Sequence, residues 1–332
     1  MEVAVYSSKQ YDRQFLDAAN SGRHELRYLA CRLTAATAAE ADGCPAVCLF
    51  ANDRADAAAI ESLAAIGVRL IALRSAGFDN VDLDAARALG ITVARVPAYS
   101  PQAVAEHAFG LLLSLNRKIH LAYDRLRAGN FALDGLIGFD LAGKTIGIIG
   151  VGNIGSVAAR IAQGFGCRVL GTDPVHREDC HGIVEYVSLG ELLEHSDVVT
   201  LHCPLTEETR HLIGQAELGR MKPGALLINT SRGACIDTAA LIRNLDSGAL
   251  GGAALDVYEH EQGLFFEDHR GAAMPDAELA HLLACPRVLV TGHMGFLTAE
   301  ALTNIAATTI GNIDSFEQSG RALFPVCLEA RT

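Results

Sequence analysis

The sequence predicts an α/β fold built as two doubly wound parallel sheets with a cleft between them. Short apolar runs alternate with helical periodicity along the whole chain, the pattern of parallel strands joined by crossover helices. The 332 residues exceed one ordinary domain, and half of them are hydrophobic, enough for two cores. One apolar run ends directly in Gly150-Val-Gly-Asn-Ile-Gly155. A strand entering G-x-G-x-x-G and leaving as a helix makes a seat for phosphate.

The first unit starts with a strand at 2–6, a helix over 8–19 and a short strand near 25–29. Strands at 46–50, 68–73 and 91–94 follow, with helices over 56–66 and 83–89, the latter stopped by Gly90. Two loops after strands can touch a ligand, one at 74–78 and one at 96–100. Ser100 then caps a helix with Pro101 at its first position; apolar positions on one face carry it to about residue 127. His107 lies on that apolar face and reads as a packed histidine rather than a ligand.

The second unit continues from residue 139. Gly150 allows the tight turn, Gly152 lets backbone approach a pyrophosphate, and Gly155 lets helix and strand pack closely. The helix is expected over 156–165, then a strand over 167–172 ending at Asp173. An acid about 20 residues beyond the first glycines accepts a ribose 2′-OH. This order of strand, glycines, helix, strand and acid identifies a Rossmann-like unit that binds NAD. Further strands are expected at 183–187, 197–201, 225–229, 252–257 and 287–291, with helices over 189–195, 215–221, 238–245 and 278–283. A last helix over 298–319 is not needed by this sheet and should return to the first unit. The domains expected are therefore 1–100 with 299–332, binding substrate, and 101–298, binding NAD.

The net charge of −12 argues against a nucleic-acid or membrane-surface partner, which would require a basic patch. No apolar run reaches membrane-spanning length, and the N-terminus reads as a strand rather than a signal peptide. Nine cysteines without a C-x-x-C pair read as buried, reduced thiols, with no metal site. A reducing, cytoplasmic setting follows.

Titratable groups gather in three loops after strands: Arg232, the acids Glu259 and Glu261, and His293. The planar fork of an arginine suits a carboxylate. A histidine can protonate a developing alkoxide, and an adjacent carboxylate orients it. Spacing leaves open which of Glu259 and Glu261 faces inward. With a hydride-carrying cofactor, these groups make one reaction, the interconversion of a 2-oxo acid and a 2-hydroxy acid.

Over nearly its whole length the chain resembles the D-isomer-specific 2-hydroxyacid dehydrogenase family. The resemblance rests on Arg74-Ser-Ala-Gly-Phe-Asp-Asn-Val-Asp-Leu83, Arg95-Val-Pro-Ala-Tyr-Ser-Pro101 with Ala105-Glu-His107, the glycine turn, Leu201-His-Cys-Pro-Leu205 and Asn229-Thr-Ser-Arg-Gly-Ala234. Asp256-Val-Tyr-Glu-His-Glu261, Leu264-Phe-Phe-Glu-Asp268 and Thr291-Gly-His-Met-Gly-Phe-Leu-Thr-Ala-Glu-Ala301 complete it. The Leu-Phe-Phe-Glu-Asp and His-Met-Gly-Phe-Leu-Thr segments are particular to members acting on lactate. Many relatives have proline beside the catalytic histidine; this chain has Met294.

The resemblance implies that Arg232 binds the substrate carboxylate, that His293 is the acid for reduction of pyruvate to D-lactate, and that Glu261 is its partner. It assigns Asn153 and Ile154 to the pyrophosphate, Asp173 to the ribose, and Cys203, Pro204, Thr230 and Asp256 to the nicotinamide side, with Ser231 and Arg232 also binding the cofactor. Ala76, Gly77, Tyr99 and Phe296 would frame the substrate with Arg232 and His293. A homo-oligomer, dimer or tetramer, is expected, and His260 is expected to be solvated. The alternatives are a dehydrogenase of another 2-oxo acid, such as hydroxypyruvate or a branched-chain acid, and a non-catalytic NAD-sensing protein of the corepressor kind.

Overall fold

Both sheets are present in the computed structural model, which describes residues 1–272 and 274–326, and every pairing between their strands is parallel. The chain divides into two units. The first comprises Met1–Ser100 and the segment from Phe296 onward; the second is Pro101–Gly295.

The first unit contains β1 (Glu2–Val5), α1 (Gln10–Asn20), β2 (Glu25–Tyr28), β3 (Ala46–Leu49), α2 (Ala57–Ala65), β4 (Leu70–Leu73), α3 (Leu83–Ala88) and β5 (Thr92–Ala94). Its strand order is β2-β1-β3-β4-β5. Strands β3 and β4 are buried at every position, as strands covered on both faces must be. Asp56 and Asp82 cap α2 and α3, accepting the N–H of Ala59 and Ala85. Arg74 opens the first loop expected to meet a ligand, yet its side chain is buried. It pairs with Asp12 at 3.3 Å, donates to the carbonyl of Tyr6, and stacks over the Phe50 ring. It is a structural cation under the loop, and only the residues after it remain open to a ligand.

The second unit contains α4 (Pro101–Asn116), α5 (Ile119–Arg127), β6 (Thr145–Ile149), α6 (Asn153–Gly164), β7 (Arg168–Thr172), β8 (Glu185–Tyr186), α7 (Leu189–His195), β9 (Val198–Leu201), α8 (Gln215–Arg220), β10 (Leu226–Asn229), α9 (Thr238–Asp246), β11 (Gly252–Leu255), α10 (Ala277–Ala284) and β12 (Val288–Val290). Its order is β12-β11-β10-β9-β6-β7-β8, so the sheet reverses direction of growth between β6 and β9. Ligands of such sheets lie beyond the strand C-termini at that switch point. The single helix expected to run to residue 127 is broken. Lys118 is left-handed (φ 55°) between α4 and α5, and Asn116 uses its side chain to bond both the N–H and the carbonyl of Phe139. The strand expected over 183–187 shrinks to two residues. Helix α6 starts three residues earlier than expected, because Gly152 is extended and already accepts from the N–H of Ser156.

The final helix, α11 (Ala299–Ser319), belongs to the first unit. Thr298 caps it and Gly320, at φ 70°, ends it. Ala306, Ile310, Ile313 and Phe316 join Val3, Val5 and Leu16 in one buried cluster. The boundary falls at 295/296 rather than 298/299, since Phe296 packs on Phe50 with ring centroids 5.4 Å apart. Beyond α11 the chain lies antiparallel to β5: Arg95 donates to the carbonyl of Phe324, and Val326 to that of Val93. The expected domain end at 332 and Cys327 lie outside the described residues. Of the described cysteines, Cys31 is exposed and Cys285 half-buried, against expectation, because Cys31 sits in the bend after β2 and Cys285 at the end of α10. Among the described residues no helix is long and apolar enough to cross a membrane.

Candidate active site

The residues of the turn after β6 decide what it can hold. Gly150 has φ 89°, and a Cβ there would lie 2.7 Å from the backbone nitrogen of Cys203. A Cβ on Gly155 would lie 2.0 Å from the carbonyl oxygen of Gly150, so only glycine lets α6 meet β6. A Cβ on Gly152 would meet nothing within 4 Å, which leaves open space over the turn. Most helices of the chain carry an oxygen cap; α7, α9, α10 and α11 use Ser188, Asp237, Asp276 and Thr298. Helix α6 has Gly152 there and no side-chain cap, with Asn153 exposed beside it. Its first N–H groups therefore face outward without an internal acceptor, which suits an anion.

Asp173 stands at the end of β7. Its carboxylate accepts from the N–H of Val151 at 2.7 Å and of Val175 at 2.8 Å, which fixes it beside the glycine turn. Arg177 is near, but its guanidinium bonds Asp179 and the side-chain oxygen of Asn153. On the far side of the switch point, the hydroxyl of Thr230 is buried and has no partner among the described residues. A buried unpaired hydroxyl costs about 1–3 kcal/mol and asks for a ligand. Turn, open helix end, carboxylate and orphan hydroxyl together fit a dinucleotide.

The charged groups come from three adjacent strands, β10, β11 and β12. Arg232 follows β10, half-buried, in a loop that Asn229 ties together by accepting from Ser231 and donating to the carbonyl of Arg232. Gly233 lets this loop lie on the next one: a Cβ there would be 2.0 Å from the carbonyl carbon of Tyr258. The geometry separates the two acids. Glu261 binds Nδ1 of His293 through Oε1 at 2.7 Å, and its Oε2 accepts from the N–H of Tyr258 at 3.0 Å. Glu259 turns the other way, to His211 at 2.5 Å and to the hydroxyl of Thr238. Burial raises the proton affinity of Glu259, but the bonds from His211 and Thr238 outweigh it and hold the carboxyl below the usual range. His260, between them, is exposed and edge-on to Tyr258.

His293 itself is left-handed (φ 54°), with its N–H donating to the carbonyl of Asp256 at 2.6 Å. Its ring is partly exposed, its Nδ1 is taken by Glu261, and Phe266 lies beside it with centroids 5.8 Å apart. The sequence carried Phe266 only as part of a resemblance, without a role. His107 is not merely packed. Its Nε2 bonds Asp256 at 3.1 Å and stands 3.3 Å from the hydroxyl of Thr291. Asp256 is buried, and its oxygens accept from Thr291 at 2.6 Å, Met294 N–H at 2.9 Å and Gly295 N–H at 2.8 Å. Burial alone would raise its proton affinity; the donors His107, Thr291 and Met294 win and bring the carboxyl to about 2. The carboxylate thus clamps the loop that carries His293. A polar pair 149 residues apart has no local signal, which is why sequence periodicity missed it.

Cys203 is buried and Pro204 exposed in the loop after β9. Ala76, Gly77 and Tyr99 belong to the first unit and are half-buried; the carbonyl of Tyr99 accepts from Asn304. Among the described residues no group of His, Cys, Asp or Glu side chains is placed to hold a metal ion.

Comparison with known proteins gives a consistent picture. Residues 109–295 match the family model described as D-isomer specific 2-hydroxyacid dehydrogenase, NAD binding domain. The chain is 51% identical to 2-hydroxyacid dehydrogenase A of Aspergillus oryzae over 95% of this chain and 92% of the relative. It is 50% identical to D-lactate dehydrogenase of Escherichia coli over 96% of this chain and 97% of the relative. A solved structure titled as the pyruvate reductase of Chlamydomonas reinhardtii superposes with a TM-score of 0.90 at 47% identity, covering 97% of this chain and 98% of the other.

Proposed function

Because the chain belongs to the D-isomer specific 2-hydroxyacid dehydrogenase family and is an NAD-dependent oxidoreductase, we propose that it reversibly reduces pyruvate to D-lactate, with His293 as acid and base. The observation that carries the reading is the Glu261–His293 bond at 2.7 Å, on strand ends adjacent to that of Arg232. Bound NADH supplies the hydride. Arg232 binds the substrate carboxylate and polarises the neighbouring carbonyl. Glu261, fixed by the N–H of Tyr258, takes Nδ1 of His293 and leaves Nε2 to give a proton to the forming alkoxide. Asp256 holds the His293 loop, while Gly150, Gly152, Asn153, Ile154, Gly155, Asp173, Cys203, Pro204, Thr230 and Ser231 seat the cofactor.

Substrate size follows from Phe296 and Tyr99, with Ala76 and Gly77 as the backbone that frames the acid. Phe296 is buried, and its ring is held by Phe50. A ring fixed in this way has little freedom to yield to a bulky side chain. Pyruvate should be the best substrate, 2-oxobutyrate weaker, and phenylpyruvate at least about tenfold poorer in kcat/KM. NADH absorbance across that series, with chiral analysis of the product, is the measurement. Phenylpyruvate matching pyruvate would move the reading to a broader 2-oxo acid reductase; no NADH oxidation with any 2-oxo acid would overturn it. Phe296→Ala should widen the range and cost activity on pyruvate.

The position of Asp173 supports NADH over NADPH by at least about tenfold in kcat/KM, or about 1.4 kcal/mol. A carboxylate accepts from a 2′-OH and repels a 2′-phosphate. Equal use of both cofactors would sink this and would mean that Arg177 leaves Asp179 for the phosphate.

The same reading includes a homo-oligomer. Ile119, Tyr123 and Leu126 on α5 are more than half exposed, and Phe131, Leu133 and Ile137 just after it are 74%, 78% and 88% exposed. So many large apolar side chains on one short stretch mark an interface. Sedimentation should find no monomer at micromolar concentration, and Phe131→Asp with Ile137→Asp should dissociate the assembly; a monomeric unmodified protein would refute it. A cytoplasmic setting is part of the proposal, and cell fractionation tests it.

A further inference from the structure

One side chain beside His293 has no part in the reaction above. Phe266 is half-buried, and its ring lies 5.8 Å from the imidazole, centroid to centroid, at an interplanar angle of 38°. Its backbone is left-handed, at φ 67°. Among the described residues the other non-glycine positions of this kind are Ser7, Ser21, Lys118, His211 and His293, all with polar side chains. A polar side chain can ease a left-handed residue by bonding nearby backbone. A phenylalanine has no such means, and for a bulky residue the conformation is strained. Strain of this sort persists only where the surroundings impose it, and it collects at working sites.

What imposes it here is a short turn that starts at Glu261. The N–H groups of Leu264 and Phe265 both donate to the carbonyl of Glu261 at 3.0 Å. The side chains of Leu264 and Phe265 pack on a buried cluster of the second unit, and Nε2 of His269 donates to the carbonyl of Leu264 at 3.0 Å. The left-handed step at Phe266 follows directly on these anchors. Residues 261–266 therefore bring two groups to one imidazole: the Glu261 carboxylate to Nδ1, at 2.7 Å, and the Phe266 ring alongside it.

A single hydrogen bond fixes one atom of the imidazole and leaves the ring free to swing about it. A flat ring packed alongside restricts that swing. We propose that Phe266 is a positioning residue for the proton donor: its ring, held by a strained turn, keeps Nε2 of His293 aimed at the forming alkoxide. The proposal rests on the role of His293 given above. Misplacing a reacting group by about 1 Å can cost about 10²-fold in rate. Loss of the Phe266 ring, with the Glu261 bond intact, should therefore lower kcat and leave substrate and cofactor binding in place.

The test compares Phe266→Gly, Phe266→Leu and Phe266→Tyr in the full-length enzyme. Phe266→Gly should lower kcat for pyruvate about tenfold, with KM and NADH affinity within about twofold, the signature of an interaction made only in the transition state. Its thermal unfolding midpoint should change little, because glycine takes φ 67° without strain. Phe266→Tyr keeps the ring and should bring kcat back to within about threefold of the unmodified enzyme. Histidine-labelled NMR, with His293→Ala to identify the signal, supplies a readout apart from activity. The imidazole signal of His293 should move in Phe266→Gly and stay in place in Phe266→Tyr. Unchanged kcat in Phe266→Gly, an equal loss in Phe266→Tyr, a rise in KM instead of a fall in kcat, or an unmoved imidazole signal would overturn the proposal. If Phe266→Gly does not fold, Phe266→Leu, which keeps apolar bulk without the flat ring, takes its place with the same expected split. Should the unmodified enzyme reduce no 2-oxo acid, the reaction itself falls. The imidazole signals then decide alone whether Phe266 holds the ring.

Discussion

Replacing His293 by alanine should lower turnover by about 10²–10⁴-fold, the usual contribution of a positioned acid, while leaving NADH affinity within about twofold. The fluorescence of NADH, excited in its own nicotinamide band, can report binding. Glu261→Gln should lower turnover by at least about tenfold, because His293 loses the carboxylate that fixes its Nδ1 and aims its Nε2. Glu259→Gln is the control. It loosens the bonds to His211 and Thr238 and should cost stability more than chemistry. If Glu259→Gln abolishes turnover and Glu261→Gln does not, the assignment is wrong. Tight NADH binding with normal turnover in His293→Ala would remove histidine from the mechanism altogether.

Asp256→Ala should be among the most damaging single changes to stability in the second unit. It strands the Thr291 hydroxyl and the N–H groups of Met294 and Gly295, and it removes the partner of His107. The native carboxyl titrates near 2, below the value of about 3.9 expected in the unfolded chain. A depressed carboxyl adds stability that is complete above the unfolded value and disappears as pH falls through the native one. The window is therefore roughly pH 4 down to 2, and the contribution at neutral pH is about 2–3 kcal/mol. Urea unfolding should show Asp256→Asn less stable at pH 7 by about that amount, with the gap to the unmodified protein narrowing as pH approaches 3. A constant gap across that range would show that packing, not charge, is responsible. Turnover should fall as well, since Met294 and Gly295 set where His293 stands.

The residues that local physics governs were legible in the chain. The glycine turn, the strand before it and the position of Asp173 declare themselves by spacing, because a tight turn and a close backbone approach each require glycine and the acid ends the strand that follows. The three charged loops could also be found, since each follows an apolar strand. What could not be read locally was direction. Glu259 and Glu261 are two residues apart, and only the bond of one to Tyr258 N–H and of the other to Thr238 separates them. The Asp256–His107 pair, the left-handed backbone of Lys118 that splits the long helix, and the buried role of Arg74 all depend on partners distant in sequence. Arg74 is the instructive case: an arginine at a strand end reads as a ligand group until Asp12 and Phe50 are seen to enclose it.

The return of α11 to the first unit has a consequence for how the protein is made. On the ribosome, residues 101–295 form a continuous stretch that can fold as it emerges. The first 100 residues appear earlier but lack Ala306, Ile310, Ile313 and Phe316, which cover Val3, Val5 and Leu16, and lack the strand-like segment that lies along β5. The sheet of residues 1–100 must therefore wait, with apolar surface uncovered, for α11 to be translated. Synthesis of α11, rather than of the first 100 residues, completes that core, and a premature stop anywhere within α11 would leave this sheet open to chaperones and proteases.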